Sequence, residues 1–159
     1  MRMFLDRSIT CFQNTALPSL PIQDCFFDVV SAFSVFTHID DLETAWLMEP
    51  KRVLKPGGIA YLTVATDHTW DGFKQDWIKT VFMPMRDQIT EFEIGDELFS
   101  GDLPLERTVF WWPAQKVYSC PVFHSEAYLR REWSRHLEIV DIVREGHTYQ
   151  DVVVLRKND

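Results

Sequence analysis

Two apolar runs separated by one amphipathic stretch constrain this chain more than any other feature. Phe26-Phe27-Asp28-Val29-Val30-Ser31-Ala32-Phe33 is a nearly continuous run of aromatic and β-branched residues, and Ile59-Ala60-Tyr61-Leu62-Thr63-Val64-Ala65 is a second. Runs of this kind suit strands covered on both faces, which usually belong to parallel sheets. Between them Asp40 offers a helix N-cap with Glu43 three positions on. Leu42, Ala45, Trp46, Val53 and Leu54 give a rough helical stripe, and Lys51, Arg52 and Lys55 load its end with positive charge. Pro56-Gly57-Gly58 stops that helix, and Pro50 inside it predicts a kink or a break. Strand, helix, strand with so short a return is the parallel crossover unit, and a sheet with helices on its faces is the architecture that follows.

The flanks extend this pattern. Ile9 and Phe12 suit a brief strand before the loop Leu17-Pro18-Ser19-Leu20-Pro21. From Thr66 to Phe123 the pattern is irregular, with a helix expected from Trp70 to about Phe82 and an aromatic stretch Val109-Phe110-Trp111-Trp112-Pro113, so residues 67–121 read as an insertion or lid. Ser125 caps a further helix whose Leu129, Trp133 and Leu137 point one way while Arg130, Arg131 and Arg135 face solvent. Ile139-Val140-Asp141-Ile142-Val143 and Val152-Val153-Val154-Leu155 close the chain as an antiparallel pair. No internal repeat interrupts this order. The whole, 1–159, reads as one α/β domain.

Composition narrows what such a domain does. With 159 residues, 46% of them hydrophobic, the chain has mass for one real core. It carries 24 acidic against 16 basic residues, a net charge of −8, and no dense Lys/Arg run, which argues against nucleic acid or an anionic membrane as the partner. Cys11, Cys25 and Cys120 are odd in number and form no CxxC pair, as expected of reduced thiols in a cytoplasmic protein, with no structural zinc and no metal site. No apolar run approaches the roughly 18 residues of a spanning helix. There are six glycines and the first is Gly57, so no glycine-rich nucleotide loop precedes the first apolar run.

Phe27-Asp28-Val29-Val30, Ser34-Val35-Phe36-Thr37-His38 and Arg52-Val53-Leu54-Lys55-Pro56-Gly57-Gly58, in this order and spacing, resemble the second half of a class I S-adenosylmethionine-dependent methyltransferase of the type 11 kind. Phe123-His124-Ser125, Tyr128 to Trp133 and Gln150 to Lys157 resemble the closing helix and strand pair of one branch of that family. The resemblance covers residues 14–66 and 122–157. It implies an incomplete doubly wound, Rossmann-like sheet in three αβα layers with a C-terminal antiparallel pair, and S-adenosylmethionine as cofactor for methyl transfer to an O, N or C atom of a small-molecule acceptor. In the family, the first strand, its glycine-rich turn and an acidic residue lie upstream, where this sequence has only thirteen residues before Asn14.

The implied site has two sides. Ser31, Ala32 and Phe33 match positions that line the methionine portion of the cofactor, and Asn14 matches one near the adenine. His38 stands where a histidine titrating near neutral pH would remove a proton from an attacking hydroxyl or amine; the simpler reading is a loop histidine bonded to the backbone near Asp40. Methyl transfer can run on positioning, because the sulfonium is already activated. Asp67, His68 and Asp71, just past the second apolar run, suit contact with a cation or a substrate, although such loop residues are more often capping groups. Trp70, Trp111, Trp112 and Tyr118 suit a lid, or more simply core.

The missing upstream strand has a physical consequence. The Phe27 to Phe33 edge would lack a neighbour, and Val29, Val30 and Phe33 would lose cover worth roughly 1.5 to 3 kcal/mol each. Three occupants suit such an edge: residues Met1 to Cys11, a second copy of the chain, or a missing N-terminal half. A catalytically silent interaction module, or a fragment docking through this edge, is the alternative to an enzyme.

Overall fold

The structure is a computed structural model and describes residues 9–72, 101–110 and 120–159. In chain order its elements are strand β1 (Phe27–Ala32), a 3₁₀ turn (Phe36–His38), helix α1 (Glu43–Val53), strand β2 (Leu54–Thr66), helix α2 (Asp67–Gly72) and strands β3 (Arg107–Val109) and β4 (Val122–His124). Helix α3 (Glu126–Glu132), a second 3₁₀ turn (Trp133–Arg135) and strands β5 (Glu138–His147) and β6 (Gln150–Arg156) follow. All six strands join one sheet in the order β3-β4-β2-β6-β5, with β1 also pairing β2.

The expected crossover unit is present: β1 runs parallel to β2, with Val29 opposite Ile59 and Ala32 opposite Leu62. Its two sequence strings hold each other. Lys55 Nζ donates to both carboxylate oxygens of Asp28 at 2.9 and 2.8 Å, and the amides of Cys25 and Phe26 donate to the carbonyls of Arg52 and Val53. Gly57 turns with φ +75°, and Gly58 lies so close to the Lys55 and Asp28 carbonyls that a Cβ would sit 2.9 and 3.1 Å from them. Only glycine fits there without displacing backbone.

Three expectations need correction. Residues 9–12 form no strand, and Ile9 and Phe12 are half exposed. Leu42 stands at the N-cap of α1 with no side-chain cap, because the Asp40 carboxylate is taken by Arg107 at 2.7 Å. Nor does Pro50 break α1: the helix continues to Val53, one turn further, where the lost backbone bond costs least cooperativity. Of the helix expected from Trp70 to about Phe82, residues 70–72 belong to α2, and residues 73–82 lie outside the described residues. Trp111, Trp112 and Tyr118 lie outside the described residues.

The C-terminal part follows expectation. Ser125 Oγ accepts from the Tyr128 amide at 3.0 Å, and Leu129, Trp133 and Leu137 are buried. Strands β5 and β6 pair antiparallel, and β6 pairs antiparallel with β2. One face of this sheet is well covered. Ala60, Leu62 and Val64 of β2 and Val153 and Leu155 of β6 form one cluster with Leu47 of α1 and Leu129 of α3, each buried aliphatic contributing about 1.5–3 kcal/mol.

The opposite face is open among the described residues. Val29 is 55% exposed, Tyr61 39% and Val143 42%, and β2 is the one described strand that pairs with β1. The anticipated loss of cover is therefore seen at Val29 and Phe33, while Val30 keeps its cover against the core cluster. Trp70 is core, fully buried between the rings of Phe110 and Phe123.

Candidate active site

Because β1 and β2 are parallel and β6 is antiparallel to β2, three chain ends meet at one edge of the sheet: the exits of β1 and β2 and the entry of β6. Ligands of open α/β sheets bind beyond such carboxyl ends. At the exit of β1, Ser31 is exposed beside Tyr61, Ala32 packs against the core and Phe33 is 51% exposed, its ring 4.9 Å from that of His147. Ser34 then adopts φ 54°, a left-handed conformation a non-glycine residue holds only when its surroundings fix it. Those surroundings are visible. Its amide donates to Thr63 Oγ1 at 2.7 Å, and its hydroxyl meets the Gln150 side chain at 3.2 and 3.1 Å.

His38 ends the 3₁₀ turn, exposed, with Nδ1 3.3 Å from the Cys120 carbonyl rather than on the backbone near Asp40. Burial pushes the Cys120 thiol pKa up. Asn14 is half-buried in coil, and its neighbour Ala16 accepts from Trp46 Nε1 of α1 at 3.2 Å.

Past the exit of β2 lies a cleft of about 390 Å³. His68 lines it, one-third exposed, with Nδ1 3.1 Å from Oδ1 of Asp151, a carboxylate that is almost wholly buried. The Thr66 hydroxyl donates to the other oxygen of Asp151, and the Glu145 amide donates to Oδ1 at 2.8 Å. Thr66 Oγ1 in turn accepts from the His68 amide at 3.0 Å and from the Thr69 amide at 3.4 Å, so the first turn of α2 is anchored to β6 through Asp151. Asp67 and Asp71, the companions of His68 in the sequence, line the same cleft, with Asp102, Glu106 and Arg144.

A buried charge network braces this end from behind. Arg107 donates from Nε to Glu43 Oε2 at 2.6 Å, Trp133 Nε1 donates to Oε1 at 2.6 Å, and His124 Nε2 lies 2.9 Å from Oε2. Burial alone would raise the Glu43 pKa. Hydrogen bonding and charge from His124, with the Trp133 and Arg107 hydrogen bonds, outweigh it and pull the carboxyl down to about 2. Tyr128, half-buried beside the same carboxylate, is pushed up to about 12 by that burial and by the Glu43 charge. His124 is paired across the sheet with Thr66, which connects the network to the cleft.

Residues 3–62 match the model of the methyltransferase domain family. The chain has the fold of a class I S-adenosylmethionine-dependent methyltransferase. An S-adenosylmethionine-dependent methyltransferase from Methanosarcina mazei superposes with a TM-score of 0.53 at 15% identity, covering 91% of this chain and 65% of that one. A putative methyltransferase of Haloferax volcanii, solved in complex with the Trm112 methyltransferase activator, gives 0.50 at 13% identity, with 90% and 59% covered. The chain thus spans about two thirds or less of the length of either structure. A comparison with curated protein sequences finds no match.

Within this methyltransferase fold, Ser31, Ala32 and Phe33 stand together at the exit of β1, and His68 stands apart from them at the exit of β2. The residues that sequence reading missed are Gln150 and Asp151. Their signal was an amide and an acid opening an otherwise apolar strand, Gln150-Asp151-Val152-Val153-Val154-Leu155. Such a carboxylate is buried only if something at the same depth satisfies it.

Proposed function

We propose that this chain binds S-adenosylmethionine at the exit of β1 and transfers its methyl group to an O, N or C atom of a small acceptor seated toward the β2 cleft. The observation that carries the reading is the parallel β1–β2 pair in a methyltransferase fold, because ligands of open α/β sheets bind beyond the carboxyl ends of such strands. The half-exposed Phe33 ring and the pinned turn at Ser34 fit one side of an adenosyl-methionine ligand: an apolar plate beside fixed backbone. Ser31 and Ala32 line the same side, and Asn14 takes the adenine end. The cofactor supplies an activated methyl group; the chain's part is to hold it in line with the acceptor and to exclude water. His38, engaged with the Cys120 carbonyl, is read as an anchor of its loop. The three free cysteines are consistent with a cytoplasmic setting, and among the described residues no helix is long and apolar enough to cross a membrane.

A thermal shift measurement tests this. S-adenosylhomocysteine at a hundredfold excess over its Kd stabilises a protein by about 2.7 kcal/mol. A clear rise in melting temperature is expected for the wild type and a smaller one for Phe33→Ala.

Among the described residues the outer edge and one face of β1 are open, which favours a second reading, in which the chain docks through this strand onto another polypeptide that completes the sheet. That polypeptide is a second copy or a segment carrying the glycine-rich turn.

A further inference from the structure

We propose that His68 is the base that takes the proton from the methyl acceptor, and that Asp151 is its positioning residue; this rests on the methyl-transfer reading above. Three observations lead here. Nδ1 of His68 faces a carboxylate oxygen at 3.1 Å, so the neutral ring carries its proton on Nδ1 and keeps the lone pair on Nε2. Asp151 cannot turn away, because the Thr66 hydroxyl holds one of its oxygens and the Glu145 amide the other. And the ring, one-third exposed, lines a cleft past the exit of β2. A histidine that only capped α2 would need neither a fixed tautomer nor a cleft, since the capping is done by Thr66 Oγ1 and the His68 amide.

The step balances. The acceptor's O or N lone pair forms a bond to the methyl carbon while the methyl–sulfur bond breaks, its electron pair staying on the sulfonium sulfur, which becomes a neutral thioether. The acceptor's proton passes to Nε2, and the resulting imidazolium is held by the Asp151 carboxylate. Among the described residues the other charged groups that line the cleft are Asp67 and Asp71 from α2, Asp102 and Glu106 from the segment before β3, and Arg144 from β5; the Glu106 carboxylate is paired with Arg131. The acceptor class that needs such a base is a hydroxyl or a neutral amine; a thiolate or a carbanion does not.

Nitrogen-15 imidazole NMR of the full chain from pH 5 to 9 reads the tautomer directly, alongside titration of S-adenosylhomocysteine and methyl transfer to a panel of phenols and primary amines. His68 should show the Nδ1–H form, and Asp151→Asn should shift it toward Nε2–H. His68→Gln should bind S-adenosylhomocysteine as the wild type does, yet lose roughly 10²- to 10⁴-fold in kcat with little change in KM. An Nε2–H tautomer in the wild type overturns the proposal, as does methyl transfer by His68→Gln within tenfold of wild type. If Asp151→Asn does not fold, the wild-type tautomer still decides. An Nδ1–H tautomer in a chain that fails to bind S-adenosylhomocysteine would instead support the dyad and count against the methyl-transfer reading.

Discussion

Nε2 of His124 lies 2.9 Å from Oε2 of Glu43, joining the last residue of β4 to the first turn of α1 across 81 positions of sequence. Both side chains are buried, and the same carboxylate serves Arg107 and Trp133. Because the folded pKa of Glu43 is about 2 against an ordinary 4.5, its contribution to stability is complete above about pH 4.5 and is lost as pH falls toward 2. The ceiling on that contribution is about 3 kcal/mol. Urea unfolding between pH 7 and 2.5 should show this loss, and Glu43→Gln should be less stable at pH 7 and flatter below 4.5. An identical acid slope in the variant would remove Glu43 from the explanation.

Gly57 and Gly58 should respond to alanine for different reasons. At Gly58 the added Cβ meets two backbone carbonyls at about 3 Å, neither of which can rotate away, so a loss of roughly 1–3 kcal/mol is expected. At Gly57 there is open space and only the positive φ matters, with a cost of about 1–2 kcal/mol. Thermal denaturation of the two variants side by side should show both losses, and a neutral Gly58→Ala would mean that the β1–β2 junction is looser than described.

Arg52 ties the loop before β1 to helix α1. Its guanidinium donates to the Leu20 and Ile22 carbonyls at 3.0 and 2.7 Å, to Asp24 at 2.7 Å and to both oxygens of Glu49. Lysine cannot reproduce this fork. Arg52→Lys is expected to cost about 1–3 kcal/mol and to open residues 17–25 to limited proteolysis, with cleavage sites read by mass spectrometry. Unchanged protection would show that the loop is held by something else.

The exposed Val29 offers a test of association. Among the described residues the outer edge of β1 is unpaired beside apolar surface, which predicts dimers or larger species of the wild type on size exclusion with light scattering. Val29→Lys places a charge on that face and should shift the distribution toward monomer. A wild type that is monomeric at high concentration would argue against self-association through β1.

The crossover unit was legible in the sequence because its signals are local: an apolar run, a charged helix end and a Pro-Gly-Gly stop report on neighbours in the chain. Ser125 was legible for the same reason, being a cap three residues from the amide it serves. Asp40 misled because its carboxylate found Arg107, 67 positions away, a stronger partner than the helix amides it was expected to cap. Ile9 and Phe12 are apolar enough for a strand, but a strand needs an edge to pair with, and pattern alone does not provide one. The candidate site was half legible. Ser31 to Phe33 entered only through the family resemblance and His68 only as a loop residue more often a cap, while Asp151, 83 positions from His68, meets it only through the antiparallel return of β6.

The central claim is that the exit of β1 forms a cofactor site, and isothermal titration of S-adenosylmethionine into the folded chain, with S-adenosylhomocysteine as control, tests it most directly. Saturable binding tighter than about 100 μM, roughly 5.5 kcal/mol, and weakened by Phe33→Ala, is the predicted result. No binding by a folded chain would contradict a site formed by this chain alone and leave the docking reading in its place.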